Sequence, residues 1–245
     1  MAKTPTTPRI KAEPYQMDLA EDLRGDLTHG QQALLIAPTG SGKTLIIRMA
    51  VAKLRPNFVR GVLVLAPQDQ IKDGWVHPLD VDFPPEDTSL FAFLYRGQMA
   101  LTDQDWQQRL ARMRGGDERH FLQMWLRAST PAPFGYATTH HGFRRWAVLP
   151  GFLPDDLSGF LLVVDEFHHV SSSNHIGAAV REWLRRGGKV LYTTATPFRS
   201  DRDLPIPEDL VPAHENSDLI IPAGLPDPAS SGSGPGACRI RRARG

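Results

Sequence analysis

Glycines at positions 40 and 42, with Lys43 and Thr44 close behind, put a pliable turn, an ammonium and a hydroxyl into one short stretch, Ala37-Pro38-Thr39-Gly40-Ser41-Gly42-Lys43-Thr44. Those residue types suit a phosphate chain. Glycine lets the backbone curl until successive N–H groups converge on one point. A helix that starts there adds its unsatisfied donors and the positive end of its macrodipole. Lys43 would reach the β- and γ-phosphates, and the Thr44 hydroxyl would ligate Mg²⁺. Pro38 to Thr44 are therefore the expected nucleotide-binding residues. The alternative is a Gly-rich turn that does no more than start a helix; a Lys-Thr pair in register with the glycines argues against it. The general pattern opens with Gly, and here Ala37 holds that position.

A second chemical centre lies at Val163-Val164-Asp165-Glu166-Phe167-His168-His169. An acidic pair at the carboxyl end of a buried strand sits where ligands bind in open parallel sheets. Asp165 there would hold Mg²⁺ opposite Thr44, and Glu166 would orient or deprotonate an attacking water. Two solvated acids after a strand are the plain alternative. A metal cluster built from His168, His169 and His175 is another, without cysteine support. A third stretch, Thr194-Ala195-Thr196-Pro197-Phe198-Arg199, would reach the same sheet edge after one crossover and could transmit the nucleotide's state.

The elements that must position these centres are legible as apolar runs. A helix is expected from about Tyr15, with Met17, Leu19, Ala20, Leu23 and Leu27 as its stripe. Ala33 to Ile36 reads as the strand before the loop, and Leu45 to Leu54 as the helix after it, ending before Pro56. Val62 to Ala66, Phe160 to Val164 and Val190 to Thr193 are short and almost wholly apolar, as in strands buried on both faces of a parallel sheet. Phe134 to Thr139 and Ser89 to Tyr95 are further candidates. Residues 103–129 read as two helices hinged at Gly115-Gly116, and Ile176 to Leu184 as a helix closed by Gly187-Gly188. Strands alternating with helices predict an α/β fold with a doubly wound, mainly parallel sheet. Residues 1–14 are expected to be loose, 15–200 to form one nucleotide-binding domain, and 201–245 to be an irregular Pro/Gly/Arg-rich tail.

Composition narrows the class. The chain has 245 residues, 41% hydrophobic and 22% charged, as in an ordinary soluble globular protein with one good core. No apolar run approaches the ~20 residues that span a bilayer, so no membrane partner is expected. The single cysteine, Cys238, excludes internal disulfides and fits a reducing, cytoplasmic location. Formal charge is +1, but four arginines and no acid lie in residues 239–245. Setting those four charges aside leaves the rest of the chain at −3, so any groove for a nucleic acid must be local.

Taken together and in order, APTGSGKT, VLVLAP, VVDEFHH and TTATPFR resemble motifs I, Ia, II and III of superfamily 2 helicases. The flavour is similar to the DEAD/DEAH-type group that includes type III restriction subunits and UvrB-like and XPB-like translocases. That resemblance covers about residues 15–200, and within it Ala37 is the ordinary first residue. It implies a RecA-like P-loop domain that binds ATP and Mg²⁺, with Lys43 and Glu166 catalytic and Thr44 and Asp165 at the metal. Pro14-Tyr15-Gln16 is similar to the upstream Gln motif, which implies that Gln16 contacts adenine. His168, Thr194 and Thr196 would couple nucleotide to nucleic acid, with DNA favoured over RNA. Pro67, Gln68, Thr138 and Thr139 fall where the family touches the nucleic-acid backbone, although the usual Thr-Arg after the Ia proline is here Gln68-Asp69. The family also implies a second RecA-like domain supplying arginine fingers from Q-x-x-G-R-x-x-R, a pattern not found after Ser200. Two functions stay open: the ATP-binding domain of a motor completed by such a partner, and a nucleotide-dependent binding or regulatory module. Two readings of the change in composition stay open, a truncated or frameshifted end and a genuine tail.

Overall fold

The expected apolar runs become the sheet. In chain order the elements are β1 (Ile10–Lys11), α1 (Pro14–His29), β2 (Gln32–Ile36), α2 (Lys43–Leu54), β3 (Gly61–Ala66), β4 (Val81–Asp82), β5 (Phe93–Leu94) and α3 (Glu118–Arg127). They continue as β6 (Gly135–Thr139), α4 (His140–Ala147), β7 (Phe160–Val164), α5 (His175–Arg185), β8 (Lys189–Thr194), β9 (Asp218–Ile220) and β10 (Arg239–Arg241). This computed structural model describes residues 10–54, 58–68, 75, 81–82, 93–94, 118–128, 135–167, 175–195, 218–220 and 239–241. The sheet order is β5-β6-β3-β7-β8-β2-β10-β9. From β5 through β2 every neighbouring pair is parallel.

Alternation along each strand divides the core into two layers. Leu34, Leu63, Leu65, Leu162, Val164 and Tyr192 face α3, α4 and α5, where Trp125, Phe143 and Trp183 are buried. Ala33, Leu35, Val62, Val64, Val163 and Leu191 face α1 and α2. Burying each large apolar side chain in this way is worth about 1.5–3 kcal/mol. Both faces are covered, which is why the strands read as continuous apolar runs rather than as alternating ones.

The helix ends follow local chemistry. α1 opens on Pro14, whose missing N–H is one of the orphans of a first turn, and the Glu13 N–H donates to Gln16 Oε1 at 3.0 Å. α5 closes on Gly187 at φ 82, with the Gly188 N–H donating to the Trp183 carbonyl at 3.1 Å. That left-handed closure is the one the Gly-Gly pair predicts.

Several boundaries differ from expectation. α4 was not expected; Thr139 caps it by accepting from the Gly142 N–H at 3.1 Å. Of the two helices expected over 103–129 only α3 falls among the described residues, and Trp106, Leu110 and Met113 lie outside them. Of the strand expected at 89–95, Phe93–Leu94 is described. Ile10–Lys11, inside the segment expected to be loose, pairs in parallel with Val81–Asp82. Within the tail expected to be irregular, β10 pairs antiparallel with β2 and β9 pairs with β10. The physical reason is the open backbone edge of β2, a row of donors and acceptors that accepts a further strand. Among the described residues no helix is long and apolar enough to cross a membrane.

Candidate nucleotide site

Because β2, β3, β6, β7 and β8 run parallel, their carboxyl ends share one edge. Ile36 lies beside Thr194, Val164 beside Leu65, and Ala66 beside Thr139. The chain therefore leaves the sheet there at Ala37, Pro67, His140, Asp165 and Ala195. β8 lies between β2 and β7, so the loop after β2 and the acids after β7 face each other across Thr194.

The loop has the backbone that the sequence demands. Gly40 and Gly42 sit at φ 84 and 81, the left-handed region that glycine tolerates and other residues rarely enter. The Ser41 N–H closes a turn onto the Pro38 carbonyl at 3.2 Å, and α2 begins at Lys43. Thr39 and Gly40 are exposed, and Ser41, Gly42 and Thr44 are half-buried. Ala37 is fully buried, and its N–H extends the β2–β8 ladder to the Thr194 carbonyl at 3.1 Å. Glu166 is the one non-glycine at positive φ among the described residues, so Ala37 uses none of glycine's freedom.

Lys43 Nζ donates to the Ala37 carbonyl at 3.1 Å and the Pro38 carbonyl at 3.4 Å. An ammonium carries three protons, so one remains for an anion in the loop. The Ser41 carbonyl accepts from Tyr15 Oη at 2.9 Å and from Gln16 Nε2 at 3.0 Å. Gln16 is buried and also donates to Tyr15 Oη at 3.3 Å. Its amide thus grips the loop as well as the start of α1. A Cβ on Gly42 would come within 2.4 Å of Gln16 Nε2, so glycine is needed there for space as well as for φ.

Asp165 is 6% exposed at the end of β7, and its N–H reaches the Leu65 carbonyl at 2.9 Å. Its Oδ1 accepts from the Glu166 N–H at 3.0 Å, and its Oδ2 from Trp75 Nε1 at 3.0 Å. Burial pushes the Asp165 carboxyl up, aided by the Glu166 charge and opposed by the Trp75 hydrogen bond, the Glu166 N–H and the Lys43 charge. A desolvated carboxylate of this kind gains most from a cation that keeps it ionised. The donors fit a Mg²⁺-nucleotide: backbone N–H groups and an ammonium for phosphates, a hydroxyl and a buried carboxylate for the ion. Glu166 sits at φ 48, a strained conformation costing about 1–3 kcal/mol. The turn is held by the next residue, Phe167, buried with its ring centroid 4.4 Å from that of Tyr192.

The other expected residues are less alike. Thr194 is buried at the edge between the two centres. Pro67 and Gln68 leave the end of β3 toward solvent. Thr138 is 2% exposed, and the Thr139 hydroxyl is used in capping α4. His168 and Thr196 lie outside the described residues, as does His169, and nothing is described of the His175 side chain. Among the described residues no cluster of three or more His, Cys, Asp or Glu could hold a metal. Sequence reasoning missed Tyr15 as a partner of the loop, Trp75 as the donor to Asp165, and His140. The His140 Nε2–H donates to the same Leu65 carbonyl at 3.2 Å. The tyrosine had a signal, adjacency to Gln16; the other two had none.

Residues 9–114 match the family described as type III restriction enzyme, res subunit. No curated protein matches the chain. Among solved structures it is similar to the Hef helicase domain of Pyrococcus furiosus, at 22% identity and TM-score 0.48, over 79% of this chain and 34% of that one. The UvsW helicase of bacteriophage T4 is similar at 16% identity and TM-score 0.44, over 78% of this chain and 57% of that one. Helicase Lhr of Mycobacterium smegmatis, solved with ssDNA and AMP-PNP, is similar at 19% identity and TM-score 0.42, over 73% of this chain and 22% of that one. This chain thus spans between about a fifth and somewhat over half of those chains. Residues 9–114, under half of the chain, thus resemble the res-subunit family, within an α/β fold whose parallel sheet gathers the loop and the acid pair at one edge.

Proposed function

We propose that the chain binds ATP with Mg²⁺ at this edge and serves as the ATP-binding domain of a nucleic-acid helicase or translocase. The observation that carries the reading is that one sheet edge gathers the loop after β2, with Gly40 and Gly42 at positive φ and Lys43 at the start of α2, and the buried Asp165 after β7. In this reading Pro38 to Thr44 cradle the phosphates through backbone N–H groups, and Lys43 neutralises the β- and γ-oxygens. Thr44 and Asp165 would hold Mg²⁺, which supplies charge neutralisation at the transferring phosphoryl group. Glu166, fixed by its strained turn, orients or deprotonates the attacking water, and Gln16 reads adenine. Thr194, with His168 and Thr196, passes nucleotide state to a nucleic acid held by Pro67, Gln68, Thr138 and Thr139, with DNA favoured by resemblance. A second RecA-like domain supplies the arginine fingers.

Calorimetry with ADP and with a nonhydrolysable ATP analogue, in Mg²⁺ buffer, tests the first step. Lys43→Ala removes a charged hydrogen-bond donor worth about 1.5–3 kcal/mol, so affinity is expected to fall roughly 10- to 100-fold. Equal affinity in wild type and variant would overturn the phosphate-loop reading.

A further inference from the structure

The Asp165 carboxylate is held at both oxygens by groups of different origin. The Glu166 N–H that binds Oδ1 is local, set by the turn at φ 48. The Trp75 indole that binds Oδ2 comes from the far side of the sequence, in the connection that leaves β3 after Pro67 and Gln68. Rotation of a carboxylate about its last side-chain bond is soft and roughly two-fold. One donor leaves that rotation open, whereas two donors on separate elements define the plane. Trp75 is 1% exposed and packed in the core layer shared with α1 and α2, so the indole cannot swing away from its acceptor. An indole N–H can only donate. Each oxygen keeps a further lone pair for another partner, in directions that the two donors have already set.

We propose that Trp75 is the positioning residue of Asp165: its N–H fixes the carboxylate in the orientation that receives the hydrated Mg²⁺ of a bound nucleotide. The inference rests on the nucleotide reading above and adds to it a residue outside the expected motifs. Ring packing alone, the competing role, would survive replacement by another aromatic ring.

Two measurements separate these roles. In the first, Trp75→Phe keeps an aromatic ring and removes the N–H, and ADP binding is measured by calorimetry in Mg²⁺ and in EDTA. Binding in EDTA should stay within about twofold of wild type, while the gain in affinity from Mg²⁺ should shrink roughly tenfold, as for loss of a hydrogen bond to a charged group. In the second, indole ¹⁵N–¹H resonances are followed in the chain with all five tryptophans intact, which keeps the test sound should the Phe variant fail to fold. The Trp75 resonance should move on Asp165→Asn and again on saturation with Mg²⁺-ADP. A Phe variant with the full Mg²⁺ gain, or a Trp75 resonance indifferent to Asp165→Asn, overturns the inference alone. A wild-type chain that binds no nucleotide in either buffer overturns the nucleotide reading and this inference with it.

Discussion

Gln16 spends its amide on the chain itself: Oε1 on the Glu13 N–H, Nε2 on the Ser41 carbonyl and Tyr15 Oη. A second lone pair on Oε1 is what remains for a base. Gln16→Ala is therefore expected to weaken ADP and GDP binding alike by a few fold, through a loosened loop. An additional loss for the adenine nucleotide is expected, and titration of both nucleotides separates the parts. No preference for adenine in the wild type would remove the base-reading role and leave the clamp. The two loop glycines make a sharper pair. Gly40→Ala meets nothing within 4 Å and bears only the strain of φ 84, about 1–2 kcal/mol. Gly42→Ala bears the same strain and a contact of 2.4 Å with Gln16 Nε2. Thermal melts should show Gly42→Ala as the more destabilised, and its ADP affinity should fall further than that of Gly40→Ala.

Helix α5 shows how an element is tied to the sheet end away from the site. Arg186, just past its last turn, donates to the Leu153 carbonyl at 2.8 Å and the Pro154 carbonyl at 2.7 Å, and to Glu182 at 2.7 Å. The Arg185 hydrogen bond, followed by that of Arg186, holds the Glu182 carboxyl at about 2 instead of 4.5. A depressed carboxylate contributes stability above its unfolded value and loses it as pH falls through the folded one. The contribution of Glu182 should thus be complete above about pH 4.5 and drain away toward pH 2. Its side chain is 32% exposed, so screening limits the worth to about 1 kcal/mol. Glu182→Gln is expected to lower Tm by about 2–4 °C at pH 7, with the difference from wild type vanishing near pH 2. A difference that persists at low pH would mean lost packing, not lost charge. At the other end of the sheet, the Leu65 carbonyl accepts from both the Asp165 N–H and His140 Nε2, joining β3, β7 and α4 behind the acids.

At the scale of the whole molecule, the proposed nucleotide reading leaves Lys43 as the cation that the edge itself offers to the phosphates. An arginine supplied by a partner domain is typically worth ~10³–10⁵ in rate for phosphoryl-transfer enzymes. This chain by itself is therefore expected to bind ATP and turn it over very slowly, with little stimulation by nucleic acid and no unwinding. Steady-state phosphate release, with and without single- and double-stranded DNA and RNA, is the measurement. Brisk nucleic-acid-stimulated turnover that disappears in Glu166→Gln would mean that the missing positive charge comes from this chain or from its self-association. The edge of β2 away from β8 is closed by β10 running antiparallel, so any partner strand that seeks that edge must displace residues 239–241.

Much of what depends on neighbours in sequence was legible from the sequence, α4 and its Thr139 cap excepted. Gly40 and Gly42 are glycines because φ is positive there, and Lys43-Thr44 stands in register because the helix must start at the loop. The runs at 33–36, 62–66 and 160–164 are apolar because helices cover both faces of a parallel sheet. The acid pair was legible too, since Asp165 and Glu166 end such a run. What tertiary structure alone decided is which strands adjoin and which side chains meet across the fold. β8 lies between β2 and β7, and no run of residues encodes that order. Thr139, expected at the nucleic-acid backbone, also has a structural task as the cap of α4, because the chain turns into that helix immediately after it. Trp75 carries no periodicity and no motif, yet it donates to Asp165 across a separation of 90 residues. A hydrogen bond between positions so far apart leaves no local signature, because neither residue's type nor its spacing from its neighbours is altered by the partner that folding brings to it.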